Sequence, residues 1–167
     1  MNKKGLFMNL KVLGFRGEIS SVSDVLNYVA SFNNGKGTVQ LLDADAVAGV
    51  NHVRHGVHHA VMAFDRGENL AKDLSVEICL RCSAQRQISK AFDILGIKEG
   101  SMNLCVVLLD CDDYCDELSS LFIRDDDVLN PDVDKLKEIY SIGDDELSIF
   151  SVEDILIDKI SRFIVDY

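Results

Sequence analysis

The sequence predicts an α/β fold: a single domain over 1–167, with a mixed central β-sheet flanked by helices and a helical, acidic C-terminal third. Three observations predict it. Strand-like and helix-like patterns alternate through the first two-thirds of the chain, which implies a sheet covered by helices. The run MNLCVVLL at 102–109 is almost continuously apolar, as a central strand buried on both faces would be. Beyond Asp110 the chain turns acidic and reads as short helical pieces.

Each element has its own signal. Residues 9–15 alternate well enough for a strand. Ser20 or Ser23 can cap a helix running to about Phe32, with Val22, Val25, Leu26 and Val29 as its apolar face. Asn33-Asn34-Gly35-Lys36-Gly37 is a loop, and 38–42 is a second strand. An acidic turn at Asp43 and Asp45 then opens a long helix over 45–64. Its stripe is Ala46, Val50, Val53, Val57, Ala60, Val61 and Phe64, with Gly49 and Gly56 at the edge for close approach of a neighbour. After a polar connection at 65–73, LSVEICLRC at 74–82 shows little alternation and reads as another central strand. A helix over 83–96 follows, with Ser83 as N-cap, Ile88, Ala91, Phe92 and Leu95 as its buried stripe, and Gly96 as a left-handed C-cap. The acidic third holds helical pieces at 114–122, 133–142 and 152–164, and Pro131 is placed to start the middle one.

Composition excludes several classes. With 167 residues, 47% hydrophobic and 27% charged, the chain has the make-up of an ordinary globular protein able to bury a core. No apolar run approaches the ~20 residues of a membrane span. The stretch MNKKGLFMNLKVLGF lacks a continuous apolar segment and a small-residue cleavage site, so the compartment expected is the cytoplasm. Five cysteines (Cys79, Cys82, Cys105, Cys111 and Cys115) read as small buried hydrophobes in a reducing compartment. On a strand, Cys79 and Cys82 would point to opposite faces, which does not suit a metal site.

Charge is unevenly placed. Residues 1–107 carry 12 basic and 10 acidic side chains, and residues 108–167 carry 5 and 18. Contact with phosphate is therefore expected from the first two-thirds, with the acidic third turned elsewhere.

The sequence contains no Walker loop, no paired-glycine fingerprint after a strand and no G-x-S-x-G elbow. It points to no catalytic residue, metal or cofactor, and the expected protein is not an enzyme. Two features carry chemistry. Arg86 and Lys90 stand in the opening of the 83–96 helix, where unpaired N–H groups and a cation make a seat for phosphate or carboxylate, although the dipole there favours anions. The final helix presents Val152, Leu156, Ile157, Ile160, Phe163, Ile164 and Tyr167 over a wide arc, with Ile155 further round, broad enough to serve both a core and a partner. His52, His55, His58 and His59 share the polar arc of the long helix. A solvated face is the expected reading, and a metal- or small-molecule-dependent α/β enzyme using that face is the alternative.

In order and spacing, these segments resemble the KEOPS subunit family that includes the eukaryotic PRPK-binding protein. The resemblance is carried by TVQLLDAD, the long helix, and DLSVEICLRCSAQRQISKAFDILGIKEGSMNLCVVLL, where Glu77-Ile78, Arg86-Gln87-Ile88, Ala91, Gly96 and Ile97 match the pattern. It continues weakly through VDKLKEIYSI into the final helix. The resemblance implies a non-catalytic subunit of the KEOPS complex for tRNA threonylcarbamoyladenosine modification. Such a subunit binds the kinase-like ATPase subunit and helps recruit tRNA through its 3′ CCA end. The residues expected at the tRNA tail are Arg86, Gln87, Lys90 and Arg81, and those at the kinase are Ile155, Leu156 and Ile160. Phe92 falls in the core stripe, which leaves no base-stacking aromatic beside Arg86. A homodimer in isolation remains an open alternative.

Overall fold

The computed structural model describes residues 9–33 and 35–163. Ten-residue strand β1 (Leu10–Ile19) lies antiparallel to β3 (Gly100–Leu109) along its whole length, from Leu10 opposite Leu109 to Ile19 opposite Gly100. Strand β2 (Thr38–Asp43) pairs with the other side of β3, and the two-residue β4 (Ile123–Arg124) pairs with β1. Among the described residues the order is β2-β3-β1-β4, and every ladder is antiparallel. The α/β class with a helix-flanked central sheet holds, but the sheet, expected to be mixed, is antiparallel throughout the described residues.

Strand β3 divides the core in two because successive side chains point to opposite faces. Cys105, Val107 and Leu109 enter one cluster with helices α2 (Val50–Arg66), α3 (Leu74–Ser83) and α4 (Ile88–Leu95). Leu104, Val106 and Leu108 enter the other, with α1 (Val22–Phe32) and α5 (Cys115–Ser119). Burial on both faces is why this strand reads as a continuous apolar run. Helices α6 (Val133–Tyr140) and α8 (Val152–Phe163) bracket the one-turn α7 (Asp144–Leu147) and close a third, smaller cluster around Leu136 and Leu156. Ser21 caps α1 by accepting from the Asp24 N–H at 3.3 Å, in place of Ser20 or Ser23. Asp132 caps α6, so Pro131 stands just outside that helix.

The segment 74–82, expected as a strand, is helix α3. Glu77 through Ser83 are all buried, so this helix is enclosed on every side and its apolar residues carry no readable period. One pattern did favour the helix. Glu77 and Arg81 are four apart, and only a helix makes such a pair neighbours; their side chains meet at 3.0 Å.

The 83–96 helix is likewise shorter than expected. Ser83 ends α3, its hydroxyl donating to the Leu80 carbonyl at 3.1 Å, and Gln87 is the residue before α4. Ala84 takes the left-handed conformation (φ 53°) that closes α3. Gly96 has φ −69°, so positive φ is not its role; a Cβ there would run into the Phe92 carbonyl.

The 45–64 helix is broken too. A 3-10 turn at Ala44–Ala46 leads into an extended link, and α2 begins after Gly49, at φ 103°. Gly56 has the role its sequence position suggested. A Cβ at Gly56 would collide with the Cys82 thiol and stand 3.1 Å from that residue's backbone, so the glycine lets α3 lie against α2.

His52 sits at the same crossing and corrects the solvated-face reading: it is fully buried. Its Nδ1 accepts the Ala48 N–H at 2.9 Å and its Nε2–H donates to the Cys82 carbonyl at 2.7 Å. This ring ties the link before α2 to the end of α3. Burial lowers its pKa to about 4, and a proton on Nδ1 would face the Ala48 N–H. The unfolded chain then binds more protons between the ordinary value of 6.5 and about 4, so this term stabilises fully above 6.5 and fades as pH falls through that window. We predict that the thermal midpoint falls from pH 7 to pH 4.5, by up to about 3 kcal/mol of stability from this group. His52→Gln should flatten that slope, and an unchanged slope would exclude His52 as its source.

Candidate functional site

A groove of about 1170 Å³ lies between the α3–α4 junction and the α6–α8 region. Ser83 to Gln87 and Lys90 line its wall on the first side, and Ile139, Glu146, Phe150, Asp154, Asp158, Lys159 and Arg162 line it on the second. Arg86, Gln87 and Lys90, expected together, do share the first wall, and all three are exposed. Arg86 lies one residue before the Gln87 cap rather than in the first helical turn. The acidic third does not turn away, because Glu146, Asp154 and Asp158 line the same cleft.

Arg86 is not loose on this wall. Its Nη2 donates to the Phe163 carbonyl at 3.4 Å and its guanidinium carbon lies 5.4 Å from the centre of the Phe163 ring. Phe163 is itself 5% exposed and receives a second arginine: the Arg81 guanidinium carbon lies 4.6 Å from the ring centre.

Arg81, expected at RNA, is instead 1% exposed and cannot reach a macromolecule. Its Nε donates to Glu77 Oε2 at 3.0 Å. The other carboxylate oxygen, Oε1, accepts the N–H groups of Leu70 at 2.6 Å and Ala71 at 2.8 Å. The buried pair therefore holds the 67–73 connection, α3 and the end of α8, and through Phe163 it sets the floor under Arg86.

The three residues expected at the kinase are also corrected. Ile155, Leu156 and Ile160 are 5%, 1% and 0% exposed, packed inside the chain's own core. Helix α8 presents so wide an apolar arc because it packs on α2, α3 and α6 at once. Ile164 and Tyr167 lie outside the described residues. The stripe of α4 differs as well: Ala91 and Leu95 are buried, whereas Ile88 and Phe92 are 46% and 39% exposed. Phe150, 57% exposed on the opposite wall, was not singled out from the sequence. Its separation from Arg86 along the chain hides the relation.

The histidine face does not assemble a metal centre: no group of three or more ligating side chains among the described residues could hold one. His55 Nε2 pairs with the Ser161 hydroxyl at 2.8 Å, and the His55 and His59 rings are 4.4 Å apart. Burial, then the neighbouring cations, pushes His59 down to about 4. Burial also pushes the Cys79 and Cys105 thiols up to about 12, so both stay protonated as apolar filler. Cys79 and Cys82 lie three apart on a helix, and each thiol points to a backbone carbonyl, of Ala91 and Val53 respectively.

The comparisons with known proteins bear on this architecture. Residues 18–162 match the family model described as kinase binding protein CGI-121. The chain belongs to that family. It is also similar to the regulatory protein Cgi121 of Methanocaldococcus jannaschii, 37% identical over 108 residues, which are 62% of this chain and 70% of the relative. In this member of the CGI-121 family, the Glu77-Ile78 and Arg86-Gln87 positions fall on one continuous structure, from the buried carboxylate to the groove wall.

Glu77→Ala would remove the buried carboxylate that Arg81 Nε meets and leave Leu70 and Ala71 without an acceptor. We predict a loss of about 3–5 kcal/mol in chemical denaturation, several times the cost of removing an exposed pair such as Arg162–Asp158. Equal effects of the two substitutions would refute a supporting role for the buried pair.

Proposed function

We propose that this chain is a non-catalytic, single-domain subunit of the KEOPS complex, which installs threonylcarbamoyladenosine in tRNA in the cytoplasm. It docks on the kinase-like ATPase subunit and holds the 3′ CCA end of tRNA in the groove beside Arg86. The observation that carries this reading is the match to a kinase binding family over residues 18–162. The wall of Arg86, Gln87 and Lys90 supports the tRNA arm, since it offers two cations and the opening of α4 to a phosphate.

With Ile155, Leu156 and Ile160 in the core, the kinase contact moves to the turn between α7 and α8. Ile149 there is 74% exposed, the largest exposure of any large apolar side chain among the described residues, and it follows the acids Asp144, Asp145 and Glu146. An apolar anchor in a charged rim has the anatomy of a protein contact.

Two measurements test the reading. Immobilised chain should capture the cognate kinase-like ATPase, and Ile149→Glu should weaken capture at least tenfold. Failure of the unmodified chain to capture it would overturn the adaptor role, and full capture by the variant would overturn this surface. In gel shifts, tRNA lacking its CCA end should bind more weakly than intact tRNA. Arg86→Glu should abolish that difference and reduce the salt dependence by about one counterion. Equal binding of the two tRNAs by the unmodified chain would exclude recognition of the tail.

A further inference from the structure

The groove contains an aromatic ring that the basic wall itself does not supply. Phe150 lines it, while the adjacent Ile149 does not. The backbone that carries this ring is well held: the Phe150 N–H donates to the Glu146 carbonyl at 2.9 Å, and Ser151 caps α8 by accepting the Asp154 N–H at 3.2 Å. A residue just before a cap commonly staples against the fourth residue of the helix, here Ile155. A staple alone would bury the ring, yet Phe150 is 57% exposed while Ile155 is 5% exposed. The residue is therefore largely open to solvent where it lines the cleft.

Charge is mixed around the groove. Arg86 and Lys90 on the α4 side attract phosphates; on the α7–α8 side Glu146 and Asp154 repel them, while Lys159 and Arg162, the latter paired with Asp158 at 2.9 Å, also line the groove. A single-stranded nucleic acid with its backbone on Arg86 and Lys90 would point its bases towards Phe150, where Glu146 and Asp154 disfavour phosphate. The acidic groups beside that ring accept hydrogen bonds, which suits the exocyclic amines on base edges. At about 1170 Å³ the groove exceeds the roughly 300–1,000 Å³ of a small-molecule site and has room for more than one nucleotide.

We propose that Phe150 is the platform on which an unstacked base of a single-stranded RNA end stacks, with that strand's phosphates on Arg86 and Lys90. This rests on the reading of the groove as the tRNA-tail site, and it adds the residue that grips the base. Aromatic stacking of this kind acts on any base, so it supplies affinity, and the carboxylates of Glu146 and Asp154 supply the preference for amino-bearing edges.

The probe is a short single-stranded RNA ending in CCA, with 2-aminopurine in place of the terminal adenine, titrated with the full chain. The unmodified chain should bind it and quench its fluorescence. Phe150→Ala should weaken binding about tenfold and leave the probe bright, while Phe150→Tyr should behave as the unmodified chain. An RNA abasic at its last position should bind the unmodified chain about tenfold more weakly and make Phe150→Ala silent. Unchanged affinity for the abasic RNA would overturn stacking whether or not any variant folds. Normal binding and quenching by Phe150→Ala, with binding lost in Arg86→Glu, would also overturn it and leave the tRNA reading intact. No binding of RNA by the unmodified chain would remove both. Loss of kinase capture without loss of RNA binding in Phe150→Ala would assign the ring to the protein partner instead.

Discussion

A carboxylate and a guanidinium, both shut off from water, organise the half of the molecule that carries the groove. Glu77 and Arg81 are 0% and 1% exposed, and two charges so deeply placed are tolerable only if every lone pair and proton is answered. Glu77 is answered by Leu70, Ala71 and Arg81, and Arg81 by Glu77 and the face of Phe163. Those partners come from the 67–73 connection, α3 and the last described turn of α8. One interaction thus joins segments that share no hydrophobic period, and its cost if broken favours this arrangement over looser packings.

The same logic operates one layer away at the α2–α3 crossing. Gly56 removes the side chain that would hold the helices apart, and His52 bridges the gap with two hydrogen bonds to backbone. Neither residue is catalytic in character. His52 is held neutral by burial, and the buried thiols around it are held protonated. The polar chemistry in this core maintains shape.

The groove follows from that support. Arg86 projects from the α3–α4 junction with its guanidinium beside the Phe163 ring, which also receives Arg81 of the buried pair, so the pair helps to fix its position. The α6–α8 side mixes the acids Glu146, Asp154 and Asp158 with Lys159 and Arg162, so the cleft carries both signs of charge and is not a uniformly basic channel.

Much of the frame was legible in the residues. Strands β1, β2 and β3, helices α1, α6 and α8, and the cations of the groove wall announce themselves through alternation, helical spacing and turn residues. Failures cluster where burial is complete. Helix α3 is enclosed on every side, so its apolar residues lose the period that marks a helix, and only the i, i+4 pair of Glu77 and Arg81 betrays it. The wide apolar arc of α8 and the fourfold histidine face pose the same difficulty, since an apolar or polar residue does not declare what will cover it. Local pattern determined which segments are regular, because backbone periodicity acts over a few residues. Tertiary contact alone decided that Arg81 is a strut and Arg86 a surface, and that Phe150 lines the same groove as Arg86, because burial depends on neighbours distant in the chain.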